Sequence, residues 1–152
     1  MKTILITGSN GLLGQKLIDL YLKNNDVNLI ATARGNNRYP IKKGYEYAAL
    51  DITLSDQVQH VIKKYKPDCI INTAAMTNVD QCEGNKSDAE NLNINAVSYL
   101  VKAANNEGAH FIQLSTDFIF DGKYGPYTED AQPNPLSFYG ETKLKAENII
   151  KN

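Results

Sequence analysis

What this sequence lacks narrows its function before any motif is read. It has two cysteines, Cys69 and Cys82. They are too few for a disulfide framework and lack metal-ligand spacing, so a reducing cytoplasm is the expected location. The two histidines, His60 and His110, have no ligand partner at suitable spacing. Both read as surface or packing residues, and no metal site is expected. Neither sign of charge dominates: 16 Lys and Arg stand against 17 Asp and Glu. That balance argues against a general nucleic-acid or anionic-membrane binder, which needs a basic excess. No apolar run approaches the ~20 residues of a membrane span. The start, MKTILITGSNGLLG, has a basic residue and a short apolar run but breaks at once into glycines, so no signal peptide is expected. No repeat or low-complexity segment is present.

The 152 residues (16.9 kDa, 42% hydrophobic) suit one domain with a real core. Lys2–Thr7 and Val27–Ala33 are β-branched, apolar runs that read as strands, and Tyr45–Leu50 reads as a weaker third. Cys69–Ala75 and His110–Leu114 complete five strands. Between them, helical periodicity runs from Leu12 to about Asn24, from Ser55 to Tyr65, and from about Asp88 to Asn106 with Leu92, Val97, Leu100, Val101 and Ala104 inward. A polar stretch precedes that third helix. Phe118–Ser137 reads as a long loop, and a last helix begins near Phe138. Strand and helix alternate with crossovers long enough for parallel pairing. The expected fold is therefore a doubly wound α/β sheet, Rossmann-type, with helices on both faces.

The first strand-to-helix turn, Gly8-Ser-Asn-Gly-Leu-Leu-Gly14, has the spacing of a phosphate cradle. Gly8 permits the tight turn, Gly11 lets the backbone approach a pyrophosphate, and Gly14 lets the helix pack close to the sheet. Helix N-terminal amides then face the negative charge. The end of the second strand, Ala31-Thr-Ala-Arg34, lacks the acid that would hold the ribose 2′-hydroxyl of NAD. The chain's two arginines, Arg34 and Arg38, both follow it. A guanidinium fork suits a 2′-phosphate, so NADP(H) is favoured through Arg34, with NAD(H) as the alternative. Arg38 is either a support or a solvated loop cation.

Tyr139 and Lys143 stand four apart at the start of the last helix, hence on one face. Free tyrosine, with a pKa of ~10, is a poor proton donor at neutral pH, and a neighbouring ammonium favours its phenolate. Taken with the glycine turn, Asp51-Ile52, Asn72-Thr-Ala-Ala75, Asn95 and Ser115-Thr-Asp117, this pair makes the chain resemble the extended short-chain dehydrogenase/reductase family. The resemblance implies cofactor contacts at Gly8, Asn10, Gly11, Leu12, Leu13, Gly14, Asp51, Ile52, Ala74, Ala75, Thr77, Tyr139 and Lys143. It also implies a structural role for Asn95 and a catalytic set of Thr116, Tyr139 and Lys143. Asn78 and Asp117 follow cofactor-facing strand ends and either touch substrate or cap loops. Tyr124 and Tyr127 either line a substrate cleft or pack the long loop.

Within that family, AAMTNVDQCE (74–83), LSTDFIFDG (114–122), GPYTE (125–129) and PLSFYGETK (135–143) resemble segments of the dTDP-4-dehydrorhamnose reductases. The regulatory β subunits of methionine adenosyltransferase, which are NADP binders, share most of these blocks. The implied activity is NADPH-dependent reduction of the C4 ketone of a nucleotide-linked deoxysugar, with Tyr139 as proton donor. A regulatory subunit, or a reductase or epimerase of another nucleotide sugar, is the alternative. Such proteins continue beyond this helix into a sugar-nucleotide-binding region. The 152 residues are thus expected to be the NAD(P)-binding domain of a longer reductase, able to bind cofactor but poor in turnover. A face left uncovered makes self-association, as a homodimer, a further expectation.

Overall fold

The computed structural model describes residues 1–23 and 26–151. Five parallel strands form one sheet in the order β3-β2-β1-β4-β5: β1 (Lys2–Thr7), β2 (Val27–Ala33), β3 (Glu46–Ala49), β4 (Cys69–Asn72) and β5 (His110–Gln113). The chain runs outward from β1 to β3, then crosses back to β4, so β1 and β4 flank the reversal of strand order. The central strand pairs on both edges; Ile4, for example, lies opposite Leu29 and Cys69.

Side-chain alternation along the strands splits the core into two layers. Leu5, Ile30 and Ile70 face helices α2 (Ser55–Tyr65) and α5 (Ala96–Glu107), meeting Val58, Ile62 and Leu100. Ile6, Leu29, Ala31 and Ile71 face the other way, onto Ile18 of α1 (Leu12–Tyr21) and onto Tyr39. Right-handed crossovers require this division, because α1 connects strands on one side of β1 and the later helices serve the return. Burial of each such Leu or Ile contributes roughly 1.5–3 kcal/mol. α2 stops at Lys66, whose φ of 44° is left-handed, and Pro67 prevents continuation.

The expected architecture is present, with local differences: β3 spans Glu46–Ala49 rather than Tyr45–Leu50, β5 stops at Gln113 rather than Leu114, and four further changes follow. α1 ends at Tyr21; its expected end near Asn24 lies outside the described residues. β4 stops at Asn72 rather than Ala75, because Thr73 Oγ1 turns back to donate to Thr7 O (2.7 Å) and Ala74 N donates to Asn72 Oδ1 (3.2 Å). The polar stretch holds a short helix, α3 (Val79–Gly84), capped by Asn78, whose side chain accepts from Gln81 N at 2.9 Å. The third long helix is also interrupted. α4 (Lys86–Glu90) passes through a π turn at Asn91–Asn95 into α5. The last helix, α6 (Phe138–Lys151), begins where expected. His60 and His110 lie at the surface, and Cys69 is half-buried. Among the described residues no helix is long and apolar enough to cross a membrane, and no cluster of potential metal ligands occurs.

Candidate functional site

A parallel sheet brings every strand's carboxyl end to one edge, and ligands of open α/β sheets bind in the crevice there, at the reversal of strand order. A cleft of about 450 Å³ lies at that edge. Its walls include Gly8, Asn10 and Gly11 after β1, Arg34 after β2, Asp51 and Ile52 after β3, and Ala74 and Ala75 after β4. These eight are expected cofactor residues, and Ala33, Arg38, Leu50, Thr73 and Leu92 complete the wall. Leu12, Leu13, Gly14, Thr77, Tyr139 and Lys143 are not part of it.

The glycine turn is built for close approach. Gly8 has a φ of +68°, and a Cβ there would meet Ala74 N at 2.7 Å. A Cβ at Gly14 would meet Gly8 O at 2.5 Å and Ser9 Cα at 2.6 Å, so this glycine packs α1 onto the turn rather than facing the cleft. Gly11 differs: a Cβ there would meet only Gly8 O, at 3.3 Å, which leaves open space over the backbone. Ser9 N donates to Thr32 O at 3.0 Å and Gly11 N to Gly8 O at 2.9 Å, fixing the turn to β2. First-turn amides of α1 have no partner within the helix and aim outward. At the far end, neither guanidinium of Arg34 or Arg38 makes an ion pair or hydrogen bond among the described residues. A cradle open at Gly11 and two unengaged cations beyond it fit a dinucleotide with an additional phosphate.

A second group gathers past the end of β5. Lys143 is 3% exposed, and burial pushes its ammonium below the usual lysine range, partly offset by the Glu147 carboxylate. Its Nζ donates to Leu114 O. Glu147, one turn on, is bonded to Ser115 Oγ, so two residues of α6 pin the segment leading to Thr116. Thr116 Oγ1 accepts from Phe118 N and donates to Asp117 Oδ1, both at 3.2 Å, capping a 3₁₀ turn at Asp117–Ile119. Tyr139 is 8% exposed, with Phe118 edge-on against its ring at 5.9 Å. A Cβ at Gly140 would strike Phe118 O, so only glycine lets α6 sit this close to the turn. The expected catalytic residues therefore share the carboxyl edge with the cleft, beside it rather than in its wall.

One sequence expectation changes, and two that stood open gain a structural contact. The structural asparagine is Asn93, not Asn95. Asn93 is 2% exposed; its Oδ1 accepts from Met76 N (2.8 Å), and its Nδ2 donates to Met76 O and Thr142 Oγ1 (both 3.0 Å). Asn95 points to solvent, because the π turn rotates Asn93 inward. Asn78 spends its side chain on the α3 cap, and Asp117 takes up Thr116 Oγ1 within the 3₁₀ turn. Tyr127 does both: it stacks on Phe120 at 4.4 Å, its hydroxyl donates to Asp121, and with Asp117 and Phe118 it lines a separate cavity of about 400 Å³. Tyr124 is 84% exposed.

Sequence reasoning missed Asn72 and Asp121 as organisers. Asn72 is fully buried and joins three strands, taking Thr7 Oγ1 and giving to Gln113 Oε1 (2.7 Å). Asp121 accepts from Tyr127 Oη (2.7 Å), Asn134 Nδ2 and Lys123 N (both 3.0 Å), which closes the long loop on itself. The tyrosine hydroxyl, foremost among these donors, holds the carboxyl down to about 2. Only long-range contacts reveal either role.

Fold and cleft together define a Rossmann-like α/β domain with a glycine-rich turn at the mouth of its cleft. The comparisons with known proteins are more specific. The model of the RmlD substrate binding domain matches residues 1–152, and the chain belongs to that family. It is 36% identical over 151 residues to a dTDP-4-dehydrorhamnose reductase of Aggregatibacter actinomycetemcomitans, covering 99% of this chain and 47% of that protein. It is 35% identical over 149 residues to the methionine adenosyltransferase 2 subunit beta of Bos taurus, covering 98% and 42%. The dTDP-4-dehydrorhamnose reductase of Bacillus anthracis, solved in complex with NADP, superposes with a TM-score of 0.79 at 30% identity, over 99% of this chain and 49% of that one. The chain thus spans about half the length of the relatives it matches.

Proposed function

We propose that residues 1–152 are the NADPH-binding domain of a reductase that acts on the C4 ketone of a nucleotide-linked deoxysugar, dTDP-4-dehydrorhamnose by resemblance. The observation that carries this reading is the pair of free guanidiniums at the end of a cleft whose β2 end has no carboxylate. The glycine turn around Gly11 would hold the pyrophosphate of NADPH there, and Arg34 would hold its 2′-phosphate. When bound, the dihydronicotinamide supplies hydride. The chain's own residues do the rest. Tyr139 gives its hydroxyl proton to the developing alkoxide, and Thr116 hydrogen-bonds the same oxygen. Lys143, one turn after Tyr139 on α6, supplies positive charge, and its low exposure makes that charge act in a poorly screened site. NAD(H) is the competing cofactor.

Likeness to the methionine adenosyltransferase subunit supports a second reading, an NADP-binding regulatory subunit. The presence of Thr116, Tyr139 and Lys143 together favours the reductase, since a binder has no use for a proton donor. Calorimetric titration with NADPH and then NADH tests the cofactor assignment. Tighter NADPH binding supports it; equal or tighter NADH binding overturns it, and no binding of either overturns the reading of the cleft. NADPH oxidation assayed with dTDP-4-dehydrorhamnose, in wild type and Tyr139→Phe, then separates the two readings. Turnover lost on that substitution supports the reductase, and NADPH binding without turnover in a protein spanning its relatives' full length supports the regulatory subunit.

A further inference from the structure

The loop bearing both arginines is braced from two sides. From the glycine turn, the Asn10 side chain reaches across: Nδ2 donates to Asn36 O at 2.9 Å, and Oδ1 accepts from Arg38 N at 2.8 Å. Gln15 Nε2 in turn donates to Asn10 O at 3.0 Å, steadying the brace itself. From β3, the Tyr47 hydroxyl lies 2.7 Å from Gly35 O and 3.1 Å from Ala33 O, sharing one proton between the carbonyls on either side of Arg34. Burial raises the Tyr47 hydroxyl above its usual pKa, against smaller opposing effects of Asn10 and Arg38, so it stays a donor at neutral pH. Backbone on both sides of Arg34, and the backbone of Arg38, is therefore fixed, while the two guanidiniums are free.

We propose that Asn10 and Tyr47 are positioning residues that set the preference for the 2′-phosphorylated dinucleotide by holding the Arg34–Arg38 loop in its binding geometry. This rests on the NADPH reading above and deepens it. One N–H and the oxygen of the Asn10 amide are engaged by the loop, so its side chain acts on the loop even though it also borders the cleft. An unbraced loop must be ordered when the phosphate arrives, and that entropy cost falls on binding. Only the 2′-phosphate calls on the loop's cations. Bracing therefore strengthens NADPH binding and leaves NADH nearly unaffected. Because Asn10 belongs to the turn that receives the pyrophosphate, it also fixes the spacing between the two phosphate positions.

The test is calorimetry of NADPH and NADH with wild type, Asn10→Ala, Tyr47→Phe and Arg34→Ala. The readout is the ratio of the two Kd values. A purely structural contribution weakens both dinucleotides equally and does not move that ratio. The ratio is expected to fall by about fivefold to tenfold in Asn10→Ala and in Tyr47→Phe, the loss of one or two hydrogen bonds' worth of loop order. In Tyr47→Phe the Kd for NADH stays within about twofold of wild type. Tyr47→Phe keeps the ring packed in the α1-side core, and Asn10 does not have a left-handed φ that alanine would strain. If only one variant folds, its ratio alone decides; if both fold, both are read together. A ratio unchanged in both, or equal weakening of both cofactors, overturns the inference. Wild type without NADPH preference overturns the cofactor reading, and the positioning role falls with it. A wild-type preference abolished in Arg34→Ala but intact in both brace variants overturns only the brace.

Discussion

Substitutions at Gly11 and Gly14 separate binding from folding, although both lie in the same turn. At Gly14, inside α1, alanine gains about 1 kcal/mol in helix propensity. Against this, its Cβ would sit 2.5 Å from Gly8 O and 2.6 Å from Ser9 Cα. Ordinary contact needs roughly 0.9 Å more at each. Both obstacles are backbone in a turn tied to β2 through Ser9 N, so they cannot swing aside as a side chain would. Overpacking of this kind costs roughly 1–3 kcal/mol where side chains adapt, and rigid backbone puts Gly14→Ala at or above the upper end. The clash wins, and a net loss of about 2 kcal/mol is expected. At Gly11 the backbone is extended (φ −79°, ψ 170°), and the new Cβ meets one atom at 3.3 Å. Stability should change by no more than about 0.5 kcal/mol. The methyl group does occupy the open space where a pyrophosphate would approach. Losing one charge-assisted hydrogen bond there costs roughly 1.5–3 kcal/mol, or about ten- to a hundredfold in Kd. Urea unfolding and NADPH calorimetry on both variants measure the two effects. Folded Gly11→Ala that binds NADPH like wild type would refute the placement of the phosphate cradle. Gly14→Ala as stable as wild type would refute the packing.

Other outcomes follow from the same geometry. Asn93→Ala leaves Met76 N and O without their partners and should cost about 2–4 kcal/mol in urea unfolding, whereas Asn95→Ala stays within about 0.5 kcal/mol. Lys143→Met removes a buried ammonium whose pKa is lowered by burial. Apo stability at pH 7 should hold or rise by about 1 kcal/mol while turnover is lost. With a lowered pKa, the folded state sheds this proton before the unfolded chain does, so wild-type stability gains from this group as pH rises toward ~10 and the variant lacks that gain. Asp121 titrates at about 2 when folded, below the ordinary carboxylate value. Its clamp is fully present above about pH 4 and released as pH falls toward 2. Amide exchange in residues 120–134 should be protected at neutral pH and lose protection in that acid window; Asp121→Asn should exchange fast at both.

The strands were legible because β1 and β2 are β-branched runs bounded by glycine and polar residues, and their limits coincide with the expected ones. The position of the cleft was legible because strand ends in a parallel sheet share an edge; the glycine spacing and Arg34 marked part of its wall, and the resemblance implied Asn10, Asp51, Ile52, Ala74 and Ala75. The π turn was not legible. No glycine or proline marks it, and in Asn-Leu-Asn-Ile-Asn a single inserted residue decides which asparagine turns inward. α3 escaped because six polar-rich residues hold too few turns for periodicity to register. The Asn10 brace escaped because its partners lie 26 and 28 residues away and are backbone atoms, whose identity the sequence does not encode.

The strand order also shapes how the chain emerges from the ribosome. β1 lies at the centre of the sheet, yet only β2 is made soon after it; its other partner, β4, lies 65 residues on. After Ala33 is complete, about 40 more residues must be added before Asn72 appears, roughly 2–8 s at ordinary translation rates. Through that interval the β4-facing edge of Ile4-Leu-Ile6 has no strand beside it. The nascent chain therefore carries an apolar, unpaired strand edge for seconds, the period in which a chaperone or a fast β1–β2–α1 subunit protects it from pairing with another chain.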